Sequence, residues 1–332
     1  MMRLPEFAYH LPRGVKEAAT TLAQEGPGAT LVAGGTDLYP NMKRRHQNPR
    51  VVVSLRRVPE LRGIEVGGKG TVRIGAAEPL RALERHAELG SRLPALRQSV
   101  LTISTPILRN MGTIGGNLCL DTRCNYYNQT WEWRRAIDFC LKCDGDTCWV
   151  APGSSTCWAV NSSDTVPVMI ALGARLHLVS SRRERDVEAR NFYRNDGIAY
   201  LDKKPDEILT AIEIPPQGSA RSTYLKLRRR RAFDFPVMGV AARLAFAGDV
   251  VTEACVVINA VGPAPFVVDE ATDLLVGKPL TPDLADEVGR LAARPAKPLD
   301  NTDFEYAWRK KMVRVYVRRA LLSLSSGGER SA

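Results

Sequence analysis

Six of the chain's seven cysteines, Cys119, Cys124, Cys140, Cys143, Cys148 and Cys157, fall in one short stretch, and only Cys255 lies outside it. Such clustering needs a local cause. A disulfide framework belongs to oxidising compartments and to chains much smaller than 332 residues. The opening Met1-Met2-Arg3-Leu4-Pro5-Glu6 has no apolar run of the kind a secretory signal needs, so the expected compartment is the cytoplasm. There a dense thiol patch points to metal or iron–sulfur ligation. Zinc ordinarily uses paired CxxC knuckles, but only Cys140 and Cys143 make one, and eight residues separate Cys148 from Cys157. A [4Fe–4S] cluster needs four thiolates converging from a flexible loop, and six candidates are present.

The rest of the chain reads as an ordinary globular protein, with 44% hydrophobic and 25% charged residues and no apolar stretch long enough to span a membrane. Its length suits two or three domains. Ala29–Ala33, Val51–Leu55 and Thr71–Gly75 are expected strands, and Val15–Gln24, Leu80–Leu89 and Leu93–Val100 expected helices. From Thr102 to Trp158 no period is sustained, which in a compact domain marks a functional loop. A helix at Val166–Leu172 and strands at Arg175–Val179 and Ile208–Ile214 follow. Pro215-Pro216-Gln217-Gly218 is the expected domain boundary. Beyond it, strands at Ser222–Leu227, Gly239–Phe246 and Cys255–Ala260 precede helices at Pro282–Ala293 and Phe304–Leu324. The last seven residues are expected to fray.

Two glycine pairs stand out. Leu31-Val32-Ala33-Gly34-Gly35-Thr36-Asp37-Leu38 is a strand entering a turn, and Thr113-Ile114-Gly115-Gly116-Asn117 is a second loop of the same chemistry. Neither fits GxGxxG or the P-loop. Each is either a plain turn or a backbone nest whose N–H groups hold an anion, the pair together suiting a pyrophosphate.

These glycine segments, with Arg109-Asn110-Met111-Gly112, Asp164 before an apolar helix, and Asp206-Glu207-Ile208-Leu209 before Ile212-Glu213-Ile214-Pro215, resemble the FAD-binding subunits of molybdenum hydroxylases along essentially the whole chain. The resemblance implies an α+β protein. Residues 1–217 would form a PCMH-type FAD-binding fold of two α+β subdomains, with 119–158 as an iron–sulfur insert. Residues 220–326 would form a C-terminal α+β domain of the CO dehydrogenase flavoprotein type. It also implies that the segments Leu31–Leu38 and Thr113–Asn117 cradle FAD, that Thr36, Asn117 and Asp164 contact it, and that Lys226 lies near the flavin.

Within that family the insert is most similar to that of the β subunits of 4-hydroxybenzoyl-CoA reductases. Their cluster ligands follow one another at intervals that Cys124, Cys140, Cys148 and Cys157 repeat here, and Tyr127-Asn128-Gln129, Trp131 and Trp133 fit as well. The resemblance implies those four as ligands of one [4Fe–4S] cluster, with Cys119 and Cys143 as bystanders. It further implies a molybdopterin-binding large subunit and a [2Fe–2S] small subunit as partners in a dimer of heterotrimers, ferredoxin as electron donor, and reduction of 4-hydroxybenzoyl-CoA to benzoyl-CoA. The alternatives are another hydroxylase acting on a purine, an aldehyde or an N-heteroaromatic compound, and a zinc-stabilised binding module.

A net charge of +11 and the runs Arg228–Arg231 and Lys43–Arg45 invite a nucleic-acid reading, but no nucleic-acid motif accompanies them. A docking face for an acidic redox partner explains the charge more simply. The four histidines, His10, His46, His86 and His177, are dispersed, and no catalytic acid–base pair is evident, as suits chemistry carried by cofactors. Asp37, beside the first glycine turn, is expected to make a local or ribose contact.

Overall fold

The computed structural model describes residues 3–325, and the expected frayed tail lies outside them. Val15, Ala18, Ala19 and Leu22 share one helical face and are the buried residues of the helix Val15–Glu25. They form a core with Leu55 and with Val51 and Val53 of a three-stranded parallel sheet ordered Ala8–His10, Val51–Ser54, Ala29–Val32. The central strand is buried along its whole length, so it reads as a continuous apolar run rather than an alternation.

A second sheet has five antiparallel strands in the order Ile64–Val66, Val72–Gly75, Ile208–Ile214, Arg175–Val179, Glu184–Glu188. The largest core joins it to the helices Leu80–Arg85, Ala87–Arg92, Pro94–Thr102 and Val166–Ala171. The single helix expected over Leu80–Leu89 is broken at His86. Its extended backbone ends one helix, and its ring starts the next by accepting the Leu89 N–H at 3.3 Å.

The third sheet is antiparallel and ordered Phe266–Val267, Val250–Asn259, Met238–Ala247, Arg221–Leu227. Strand periodicity divides its side chains between two cores. Met238, Val240, Ala242 and Leu244 face the helices Pro282–Ala292 and Tyr306–Leu322, whereas Tyr224, Ala241 and Val257 join the core of the five-stranded unit. Pro215 to Gly218 lies between the second and third sheets.

The stretch Thr102 to Trp158 is less structureless than its sequence suggests. It holds three short helices, Pro106–Arg109, Ile114–Leu118 and Trp131–Ala136, each begun by a threonine (Thr105, Thr113, Thr130) whose hydroxyl accepts an N–H three residues on. Among the described residues no helix is long and apolar enough to cross a membrane.

Candidate functional site

The strand Ala29–Val32 runs into the first glycine pair, and the helix Leu38–Lys43 leaves it. Gly35 has φ +71°, a backbone conformation that glycine adopts without strain. Gly34 is held for another reason: a Cβ there would overlap the Met111 carbonyl, so the first glycine turn touches, backbone to backbone, the Met111-Gly112 step that leads into the second glycine segment. Among the described residues no protein acceptor takes the N–H groups of Gly34, Gly35 or Thr36, an arrangement of the kind that backbone nests use toward anions.

The second pair is built differently from the first. Gly115 and Gly116 lie inside the helix Ile114–Leu118. Their N–H groups are already used, Gly115 donating to Ala76 O at 2.8 Å and Gly116 to Thr113 Oγ1 at 3.1 Å. Gly115 is small because a Cβ would stand 2.6 Å from the Ala76 carbonyl. What this segment offers a ligand is a side chain. Asn117 Oδ1 accepts from Ser163 Oγ at 2.8 Å and Thr165 Oγ1 at 2.6 Å, leaving its amide nitrogen as the donor.

Both segments line one cleft of about 630 Å³, within the usual range for a cofactor site. Every residue from Leu31 to Leu38 lines it, as do Thr113, Gly115, Gly116, Asn117 and Asp164. Ile114 is instead fully buried in the core, and Lys226 is not part of the lining. Lys226 acts from behind the wall. Its Nζ donates to Asp164 Oδ2 at 2.9 Å and to Thr102 O at 3.0 Å, while the Tyr224 hydroxyl donates to Asp164 Oδ1 at 2.7 Å. Burial pushes the Asp164 carboxyl above its ordinary range despite these donors. Asp37 makes one local contact, accepting from Asn41 Nδ2 at 3.1 Å, and one distant in sequence, pairing with Arg123 86 residues away.

Arg44, Gln47, Arg123, Lys203, Arg230 and the loop Phe233–Phe235 also line the cleft and were not picked out as cofactor residues from sequence. The basic run Arg228–Arg231 is not one uniform face. Arg228 donates to Thr102 O at 3.1 Å, Arg229 pairs with Asp303 at 3.0 Å, and Arg230 is held by Asp234 at 3.1 Å at the cleft.

The cysteines divide in the same way. All seven are free thiols. Cys124, Cys140, Cys148 and Cys157 line one small cavity of about 10 Å³, closed by Tyr126, Tyr127, Leu141, Trp149, Val150 and Ala159. Cys119, Cys143 and Cys255 are not on it. Burial pushes the Cys124 thiol up to about 12 and the Cys157 thiol up to about 11. Gly197 buttresses the cavity, since a Cβ there would stand 2.8 Å from Cys157 Sγ. Cys143 turns toward Arg134, whose fully buried guanidinium donates to its Sγ at 2.9 Å. Among the described residues no three His, Cys, Asp or Glu side chains gather closely enough to hold a single metal ion, so of the iron–sulfur insert expected over 119–158 the thiol-lined cavity is what the structure shows.

Residues 5–217 match the family described as the FAD binding domain in molybdopterin dehydrogenase, and residues 222–324 match the CO dehydrogenase flavoprotein C-terminal domain. The chain is 31% identical over 316 residues to the carbon monoxide dehydrogenase medium chain of Afipia carboxidovorans, covering 95% of each. It is 28% identical over 308 residues to the nicotinate dehydrogenase FAD-subunit of Eubacterium barkeri, covering 88% of this chain and 90% of that one. In structure it is similar to a carbon monoxide dehydrogenase from Hydrogenophaga pseudoflava, with a TM-score of 0.80, 26% identity, and coverage of 97% of this chain and 98% of the other. A stand-alone zinc-stabilised module, in which the glycine pairs are only turns, does not account for these matches. With two glycine segments lining one cleft and the two family matches together spanning nearly the whole chain, this chain belongs to the FAD-binding subunit family of the molybdenum hydroxylases.

Proposed function

We propose that this chain is an electron-transfer subunit of a molybdenum enzyme complex and that it holds a [4Fe–4S] cluster beside its FAD. The observation that carries this reading is the shared cavity of Cys124, Cys140, Cys148 and Cys157. The donor set suits such a cluster: four thiols, with no imidazole or carboxylate among the lining residues. None of the four lies in a helix or strand, so no regular element fixes the spacing of their thiols. Ligation would also displace the thiol protons that burial holds in place at Cys124 and Cys157. When bound, the cluster passes electrons singly and FAD passes them singly or in pairs, so together they join a one-electron donor to a two-electron reaction.

The chain's residues then have defined tasks. The N–H groups of Gly34, Gly35 and Thr36 would receive the pyrophosphate, with the Asn117 amide as a further donor on the same cleft and positive charge from Arg44 and Lys203. Leu80, Ile103, Leu108 and Ile208 line the same cleft and keep water from the cofactor. The partners are a molybdopterin-binding large subunit and a [2Fe–2S] small subunit, in a dimer of heterotrimers.

The cysteine spacing supports the finer reading, in which ferredoxin supplies electrons for reductive dehydroxylation of 4-hydroxybenzoyl-CoA. The names of the relatives, a carbon monoxide dehydrogenase and a nicotinate dehydrogenase, favour the alternative at the level of substrate. There, electrons leave an oxidised purine, aldehyde or N-heteroaromatic compound through FAD. An assay of the purified complex separates the two. Benzoyl-CoA formed from 4-hydroxybenzoyl-CoA with reduced ferredoxin supports the reductive reading; no product, together with flavin bleaching by nicotinate, a purine or an aldehyde, supports the oxidative one.

A further inference from the structure

Between the cysteine cavity and the cleft lies a buried ion pair to which the functions above assign no task. Lys142 lines the cysteine cavity and Asp121 lines the cleft. Their charged ends meet at 2.8 Å, with only 6% and 8% of the side chains exposed. The Lys142 ammonium donates to Asp121 Oδ1 at 2.8 Å, Thr122 Oγ1 at 2.8 Å and Gly197 O at 2.6 Å. Three donors thus meet three acceptors, the complement that a lysine charge needs away from water.

The same ammonium stands between two aromatic rings. Tyr127, its centroid 5.0 Å from Nζ, lines the cysteine cavity; Tyr200, at 5.4 Å, lines the cleft. Tyr127 also donates its hydroxyl to Asp121 Oδ2 at 3.0 Å. One bonded group therefore makes up the wall between the two sites.

We infer that Lys142 is a positioning residue: a fixed charge in the wall that sets the reduction potential of the group held by the four cysteines, with Asp121 opposing it. The inference rests on the cluster reading above. Four thiolates around iron and sulfide make an anion, and each electron gained makes it more negative. A buried cation beside it stabilises the reduced form more than the oxidised one and raises the midpoint potential; a buried anion does the reverse.

Redox titration of the purified complex tests this, with dithionite as reductant, EPR to follow the cluster and absorbance to follow the flavin. Lys142→Met should keep its iron yet show at least a tenfold lower ratio of reduced to oxidised cluster at a fixed solution potential, about 59 mV for a one-electron couple. Lys142→Arg should stay near the wild type, and Asp121→Asn should shift the potential upward. An iron-replete Lys142→Met with an unchanged potential overturns the inference and leaves the cluster reading standing. If Lys142→Met loses its cluster, Asp121→Asn decides: an upward shift supports the inference, and no shift or a downward one overturns it. A wild-type complex free of iron removes the cluster reading and this inference together.

Discussion

The glycine-lined cleft and the cysteine cavity are neighbours built on opposite principles. The cleft is framed by regular elements, a strand and two short helices, and by glycine backbones packed against each other or against the Ala76 strand end. The cavity is framed by an irregular loop whose cysteines lie outside helices and strands, held by the buried side chains of Lys142, Tyr127 and Arg134. The difference teaches where tolerance lies. The cleft should fail when backbone contact is disturbed, and the cavity when one polar side chain or one thiol is lost.

The largest expected effect is in the cavity. Cys140→Ser should abolish bound iron while flavin content holds, and Cys143→Ser should retain the iron, because Cys143 is outside the cavity and faces Arg134. Equal iron loss in both would erase the division between ligands and bystanders. Next comes the charged wall of the cleft. Asp164→Ala leaves the buried Lys226 ammonium without its carboxylate, at a cost of about 3–5 kcal/mol in stability, readable by urea unfolding. Gly34→Ala drives a Cβ into the Met111 carbonyl and should cost about 1–3 kcal/mol with loss of flavin, checked by melting temperature and flavin release. A Gly34→Ala protein with normal flavin and stability would contradict the backbone account of the cleft.

The smallest effect is a pH slope beside the cavity. His46 is held down at about 4, by burial first and then by the guanidiniums of Arg134, Arg44 and Arg123. The folded state thus favours the neutral ring. Its contribution is complete above the unfolded value near 6.5 and is lost as pH falls toward about 4. His46→Asn should flatten that part of the stability–pH curve, measured by denaturant unfolding at several pH values; an unchanged slope would assign it to other groups.

How much of this was legible in the sequence follows the same division. The helix Val15–Glu25 and the strands Val51–Ser54 and Ile208–Ile214 announce themselves because each buries a periodic or continuous apolar face. The strands that escaped notice, Ala8–His10, Ile64–Val66, Glu184–Glu188 and Phe266–Val267, are all sheet edges. An edge strand is short and partly solvated, so Glu184–Glu188 carries four charged residues among its five and no apolar signal. The glycine pairs were visible as chemistry, but the helix around Gly115 and Gly116 was not, since its cap, Thr113, is a local signal within an aperiodic stretch. Lys142, Asp121 and Gly197 were illegible for a different reason: each acts on a partner 21 or 55 residues away, and nothing in the local sequence marks the meeting.

Iron, acid-labile sulfide and flavin counted on the same purified sample test the central claim most directly. The account predicts about four iron per chain beside one FAD, with an EPR signal from a [4Fe–4S] cluster on reduction. Flavin without iron, or a single zinc in its place, would contradict it.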